Sequence, residues 1–245
     1  MILLGLSPGE KRAYKDRVKK RGKRLNIFLL IAILLLPVAY LLFGAGWVPS
    51  APRYNRDLEM PVAMVQTAEG IGTAFLYGET QLLTARHVVE NMNVGDEVTL
   101  TFANANPAIT TTARIAWKDS DSSSPGDINY YLNDVARLEL SQPTDLPEDF
   151  PRLYLGDSDG IEPRTPVILI GYPDGNSSTT TGTVSNDQAM GADIFQLDVS
   201  AYPGNSGGPL ITEDTEEVIG ILIAGKTEEF QGINFAIKVN NVEEK

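Results

Sequence analysis

Residues 203–210 read Pro203-Gly204-Asn205-Ser206-Gly207-Gly208-Pro209-Leu210. A serine hydroxyl is a poor nucleophile; it needs a base and a place for the negative charge its attack creates. Glycines beside a serine let the backbone turn sharply and gather N–H groups into one small space. Such a group of donors can hold an oxyanion. On this reading the donors are the backbone N–H groups of Gly204 and Ser206. Taken alone, a glycine-rich serine loop is equally a plain turn, so the reading depends on what else the chain supplies.

A base is available in one place only. The chain has a single histidine, His87, in Leu82-Leu83-Thr84-Ala85-Arg86-His87-Val88-Val89, immediately after an apolar run. Imidazole has the right basicity for proton transfer near neutral pH, although a lone histidine is ordinarily structural or a surface group. The third piece is Asn133-Asp134-Val135-Ala136-Arg137-Leu138-Glu139-Leu140. An aspartate at the head of an apolar strand can be buried against the second imidazole nitrogen, where it fixes the tautomer and stabilises the imidazolium. Asp127 and Asp119 are alternative partners, and an aspartate at a strand start is ordinarily a turn residue. The chain order His, Asp, Ser is that of chymotrypsin-type enzymes rather than of subtilisins or α/β-hydrolases. Each signal is modest, but they coincide in order, each near the end of a predicted strand.

Outward from these residues the chain reads as short β-branched runs divided by Gly, Asn, Asp and Pro. This spacing predicts strands over 62–67, 72–77, 81–84, 97–102, 110–117 and 134–140. A second group is predicted over 167–171, 180–185, 195–200, 209–212, 218–224 and 234–239. Between the groups, Ser141–Pro163 is rich in Pro, Asp and Gly and reads as a crossing between two halves. No long helical stripe appears after residue 48, so the expectation is an all-β sandwich or barrel architecture.

The N-terminal part differs. Ile27–Ala45 is an uncharged run of 19 residues, which as a helix spans roughly 28 Å, close to the thickness of a bilayer core. Lys11, Arg12, Lys15, Arg17, Lys19, Lys20, Arg21, Lys23 and Arg24 precede it and place that end in the cytoplasm. Tyr40 and Trp47 suit the distal interface. The expectation is an uncleaved single-pass anchor; a cleaved signal peptide ending near Gly44-Ala45-Gly46 is the competing reading. The body after it is extracytoplasmic in either case.

Composition excludes several functions. The chain has no cysteine, so disulfides, thiol nucleophiles and Cys-ligated metals are absent, and one histidine rules out two-histidine zinc sites. Residues 51–245 hold eleven Lys/Arg against thirty Asp/Glu, a charge that repels nucleic acid. Asp119–Asp127 lacks EF-hand spacing and reads as a solvated loop. No metal or organic cofactor is expected, since a triad and an oxyanion hole suffice.

The chain resembles the HtrA/Deg branch of trypsin-like serine proteases over about residues 60–240. The resemblance is carried by Gly72-Thr73-Ala74-Phe75, the segments around His87, Asp134 and Ser206, Leu155-Gly156-Asp157-Ser158, Gly171-Tyr172-Pro173, Val218-Ile219-Gly220-Ile221 and Ile233-Asn234-Phe235-Ala236-Ile237. It implies two six-stranded antiparallel β-barrels, which the anchor read from the apolar run precedes as one N-terminal transmembrane helix. The corresponding boundaries are 1–24 basic cytoplasmic segment, 25–47 anchor, 48–60 linker and 61–241 protease domain. Within that domain, barrel 1 covers about 61–141, the crossing 142–163 and barrel 2 about 164–241.

The resemblance assigns the base to His87, the orienting carboxylate to Asp134 and the nucleophile to Ser206. It implies hydrolysis of peptide bonds in extracytoplasmic, often misfolded, proteins, and makes a trimer possible. Asn205 stands where digestive-type relatives have Asp, so activation through a newly cut N-terminus is not expected. Arg86 and Tyr202 depart from the residues usual at their positions. The family's PDZ domain is not expected after Phe235-Ala236-Ile237, and the usual closing helix is expected to be short or missing. The specificity pocket is expected to be walled by Ser200–Tyr202, Ile221–Ala224 and Asn234–Ala236, chiefly Ser200, Ala201, Tyr202, Ile221, Ile223, Ala224 and Phe235, which favours cleavage after small or medium aliphatic residues. The alternative is a weak protease-fold protein that binds peptides or a partner at the membrane surface.

Overall fold

The computed structural model describes residues 56–120, 128–223 and 233–243. All of them belong to the second of two units of the chain, Tyr54–Lys245; the first, Met1–Arg53, carries the expected membrane anchor and lies outside the described residues. Among the described residues no helix is long and apolar enough to cross a membrane.

Twelve strands close into two barrels. The first is built from β1 (Val62–Thr67), β2 (Gly70–Leu76), β3 (Gln81–Thr84), β4 (Glu97–Phe102), β5 (Ile109–Lys118) and β6 (Ala136–Leu140). They join in the order β1-β2-β3-β6-β5-β4. The second holds β7 (Pro166–Gly171), β8 (Ser178–Asn186), β9 (Ile194–Leu197), β10 (Pro209–Thr212), β11 (Val218–Ile223) and β12 (Asn234–Lys238), in the order β10-β11-β12-β9-β8-β7. Neighbouring strands in both are antiparallel. Among the described residues three short α-helices accompany them: α1 (Arg56–Glu59), α2 (Ile128–Leu132) and α3 (Asn240–Glu243).

The sequence pattern explains which faces are buried. β4 alternates buried and exposed positions, as a strand with one wet face must. β11 is buried at every residue of Val-Ile-Gly-Ile-Leu-Ile, because its two faces meet different cores. Ile219 and Leu222 fill the second barrel with Leu169, Phe195 and Ala236. Val218, Ile221 and Ile223 belong to another cluster, together with Val62, Phe75 and Leu83 of the first barrel and Ile168, Ile170 and Ile237 of the second. Residues of β1–β3 likewise divide between seam and barrel, with Ala63, Ala74, Leu76 and Leu82 turned into the first barrel; on β11 the alternation is offset where its register with β10 shifts, so Val218 and Ile221 share the seam. A continuous apolar run is thus the mark of a strand at the seam, and the period of two sends alternate side chains into barrel and seam.

Several strand bounds differ from the pattern: β2 and β8 begin two residues early, at Gly70 and Ser178, and β9 ends at Leu197. The strand predicted from Asp134 starts at Ala136. Asp134 instead closes the turn after α2, where its side chain is bonded on the far side of that turn.

Candidate active site

His87 sits in a 3-10 turn, Arg86–Val89, entered from β3 through Ala85 in extended conformation. β3 is paired on both sides, by β2 and β6, so its end is firmly placed. The carbonyls that close the turn, at Val89 and Glu90, accept Lys118 Nζ at 3.5 and 2.8 Å. A cation at that end suits the unpaired carbonyls of a helical turn.

Asp134 is 2% exposed. Its Oδ2 lies 2.6 Å from His87 Nδ1, and its Oδ1 accepts the His87 backbone N–H at 2.8 Å. One carboxylate therefore grips both the ring and the main chain of the only histidine. With Nδ1–H held by Asp134, Nε2 is the nitrogen left to accept a proton. Tyr130, on α2, stands nearby. Burial raises its phenol above the ordinary value, with the Asp134 and Glu90 carboxylates adding to the effect.

Ser206 lies in the loop between β9 and β10. Asn205 N–H bonds to Tyr202 O at 3.0 Å and Gly208 N–H to Asn205 O at 2.9 Å, which curls the loop around the serine. Two glycines are required by space as well as by φ. Gly204 has φ +102 and a Cβ there would stand 2.3 Å from Tyr172 O. Gly207 has φ +86 and a Cβ would stand 2.1 Å from Thr73 O. The loop's carbonyls are drawn away from the cleft: Gly204 O accepts Thr73 Oγ1 at 2.7 Å and Ser206 O accepts Thr73 N–H at 2.8 Å. Pro203 O faces Asp174 N–H at 3.4 Å, so in a planar trans peptide the Gly204 N–H points the opposite way. Among the described residues, neither the Gly204 nor the Ser206 N–H donates to any protein acceptor.

His87, Gly204 and Ser206 line one cleft of about 510 Å³. Thr67, Glu69, Gly70, Ile71 and Val88 border it from the first barrel, and Asp174, Ala201, Tyr202, Pro203 and Asn234 from the second. Of the residues expected to wall a specificity pocket, Ala201, Tyr202 and Asn234 are on this cleft, and Tyr202 is 61% exposed. The side chains of Ile221, Ile223 and Phe235 are buried in the seam cluster. Ser200 is exposed, and its carbonyl accepts Thr180 Oγ1 at 3.1 Å. Ala224 lies outside the described residues.

Two residues acquire a place that the sequence did not reveal, and one expected on the pocket wall is on the cleft. Thr73 and Thr84 are wholly buried polar residues within apolar strands, an anomaly that marks them. Asn234 borders the cleft while its Nδ2 donates to Val199 O at 2.7 Å. Of the alternative carboxylates, Asp119 donates its N–H to Val135 O at 3.0 Å, and Asp127 lies outside the described residues. Among the described residues no cluster of three or more His, Cys, Asp or Glu could hold a metal ion.

A model of the trypsin-like peptidase domain matches residues 72–221. A probable periplasmic serine endoprotease of DegP-like type from Halomonas elongata is 30% identical over 200 residues, 77% of this chain and 37% of that protein. A protein of the same description from a Marinomonas species is 40% identical over 129 residues, 45% of this chain and 27% of that one. The chain thus spans well under half the length of these relatives. Among solved structures, the HtrA-type protease AlgW with a tripeptide has 26% identity and TM-score 0.58, covering 78% of this chain and 62% of that one. An inactive form of Rv3671c from M. tuberculosis shares the fold, with TM-score 0.58 at 19% identity over 80% of this chain and 90% of that one. The chain belongs to the trypsin-like peptidase domain family and is similar to serine proteases of the HtrA type.

Proposed function

We propose that this chain hydrolyses peptide bonds of extracytoplasmic proteins, with His87 as base, Asp134 as its orienting carboxylate and Ser206 as nucleophile. The observation that carries the reading is the double hold of Asp134 on His87, at 2.6 and 2.8 Å, beside a cleft that Ser206 also lines. Ser206 Oγ attacks the scissile carbonyl and passes its proton to His87 Nε2. The oxyanion that forms is held by the N–H groups of Gly204 and Ser206. His87 then returns the proton to the leaving amine, and water, deprotonated by the same nitrogen, releases the acyl group from Ser206. Ala201, Tyr202 and Asn234 border the cleft on the second-barrel side without a fixed charge, which favours a small or medium aliphatic residue before the cleaved bond.

The same reading holds the enzyme at a membrane through residues 25–47, with the N-terminus cytoplasmic and residues 61–241 outside. Its support is the apolar run with its basic flank and the description of the relatives as periplasmic. The test is labelling of the full-length chain with a serine-reactive fluorophosphonate, beside Ser206→Ala and His87→Ala. Labelling of the wild type alone is expected, with turnover falling by up to about 10⁶-fold in either variant. A wild type that binds unfolded protein but neither labels nor cleaves it would overturn the reading in favour of a binding protein.

A further inference from the structure

Arg86 is 6% exposed, although it is a charged residue on an otherwise apolar approach to His87. Its Nε donates to Asn133 O at 3.0 Å. Its Nη1 donates to Glu90 Oε1 at 3.3 Å, and its guanidinium carbon lies 4.9 Å from the centre of the Tyr130 ring. Among the described residues its Nη2 is buried with no hydrogen-bond partner. Burying a guanidinium with one amino group unpaired is unfavourable, and an apolar residue of similar volume would fill the space more cheaply. The stability of the fold therefore does not account for this arginine.

Its position does. Arg86 adjoins His87 in sequence, and Asn133 adjoins Asp134. The Arg86–Asn133 bond and the His87–Asp134 bonds are successive rungs between the same two segments, each joining residues 47 apart in the chain. α2, just before Asn133, is five residues long, too short to be stable by itself. Its placement depends on contacts such as the Tyr130 ring under the guanidinium. Arginine makes this contact as a flat fork that stacks and donates at once, which a lysine cannot do.

Resting on the function proposed above, we propose that Arg86 is a positioning residue: it clamps the α2–Asn133 segment so that the Asp134 carboxylate stays on His87. Arg86 touches no cleft surface, so it acts on the rate of chemistry and not on substrate binding.

The test uses full-length Arg86→Met and Arg86→Lys, with Arg114→Gln as a control that alters only an exposed ion pair at 3.4 Å. In both Arg86 variants kcat on an aliphatic peptide substrate is expected to fall about 10- to 100-fold, with KM within about twofold. A second readout is the low-field proton of the His87 Nδ1–H···Asp134 bond in a ¹⁵N-histidine-labelled sample. With one histidine in the chain it needs no assignment, and it is expected to broaden or vanish in Arg86→Met while thermal stability is kept. Unchanged kcat with the proton retained overturns the proposal. So does loss of the fold in both variants, since Arg86 would then hold the fold and not the site. Failure of the parent reading would look different: an unlabelled wild type, or a Ser206→Ala variant that still turns over, with the proton signal still responding to Arg86.

Discussion

The Thr73 hydroxyl donates to the Gly204 carbonyl at 2.7 Å and accepts the Tyr172 N–H at 3.1 Å, joining β2 of one barrel to the serine loop of the other. Its backbone is engaged as well: the N–H reaches Ser206 O at 2.8 Å and the carbonyl accepts Thr84 Oγ1 at 2.7 Å. Every polar atom of this fully buried residue is paired, and two of the bonds hold carbonyls of the serine loop away from the cleft. The first barrel thus sets which way the loop's N–H groups point.

Thr73→Val keeps the shape and removes the hydroxyl. Gly204 O and Tyr172 N–H would then be buried without a partner, which destabilises by about 1–3 kcal/mol. Fluorophosphonate labelling is expected to slow by more than the stability loss explains, because the Gly204 peptide loses its tether. Thr73→Ser keeps the hydroxyl and should retain most of the labelling rate. Equal rates in Val and wild type would show that the loop holds its shape unaided.

Gly207→Ala places a Cβ 2.1 Å from Thr73 O and 2.8 Å from Ala85 N, at φ +86. The backbone conformation alone is unfavourable by about 1–3 kcal/mol, and relieving the clash moves Thr73, and with it the loop. Urea unfolding at a lower midpoint and absence of labelling are expected. Gly160→Ala is the matched control: a Cβ there meets nothing within 4 Å, so its effect should stay within about 0.5 kcal/mol.

Much of this was legible in the chain. All twelve strands follow from runs such as Val62–Thr67 and Val218–Ile223, because alternate side chains have to reach a core. His87 and Ser206 were marked by their flanking residues. Asp134 was expected at a strand head; it bonds twice to His87 from outside the strand instead, and β6 starts two residues later. A four-residue 3-10 turn at Arg86–Val89 without a side-chain cap leaves little pattern to read. Arg86 and Thr73 act through partners 47 and 131 residues away, which no local pattern encodes. Ile221, Ile223 and Phe235, expected on a pocket wall, have side chains in the seam, because an apolar run on β11 or β12 has two cores to fill.

Asp134→Asn tests the orienting carboxylate. The amide oxygen can still accept the His87 backbone N–H, but the amide nitrogen then faces Nδ1 and offers a hydrogen. Nδ1 must become an acceptor, which moves the imidazole proton to Nε2, the nitrogen that should take the serine proton. A fall in kcat of about 10⁴-fold is expected, with KM little changed and thermal stability near that of the wild type. A loss below tenfold would mean that the bond serves only to hold the turn.

The cleft makes a prediction about substrates. No lysine or arginine borders it among the described residues; Ala201, Tyr202 and Asn234 carry no charge, and the acidic residues on it are Glu69 and Asp174. A peptide-library profile should show cleavage after Val, Ala or Leu-like residues and little after Lys or Arg. A basic preference at that position would contradict this assignment of the wall.

Tyr172 ties folding to alkaline pH. Its hydroxyl donates to Val62 O at 3.0 Å, it is fully buried, and burial raises its phenol above the ordinary 10.0. The folded state therefore holds this proton more tightly than the unfolded chain does. The stability this contributes is whole below the unfolded value and is lost as pH rises through the folded one. Unfolding free energy should hence decline above about pH 10. Tyr172→Phe removes that titration and leaves Val62 O without its donor. The variant should be less stable at neutral pH by about 1–3 kcal/mol. Its decline on the alkaline side should also be shallower, since the phenol no longer has to be buried neutral. Urea midpoints of both proteins at neutral pH and at about pH 11 decide the matter. Parallel declines would mean that the Tyr172 phenol keeps the same affinity for its proton in both states.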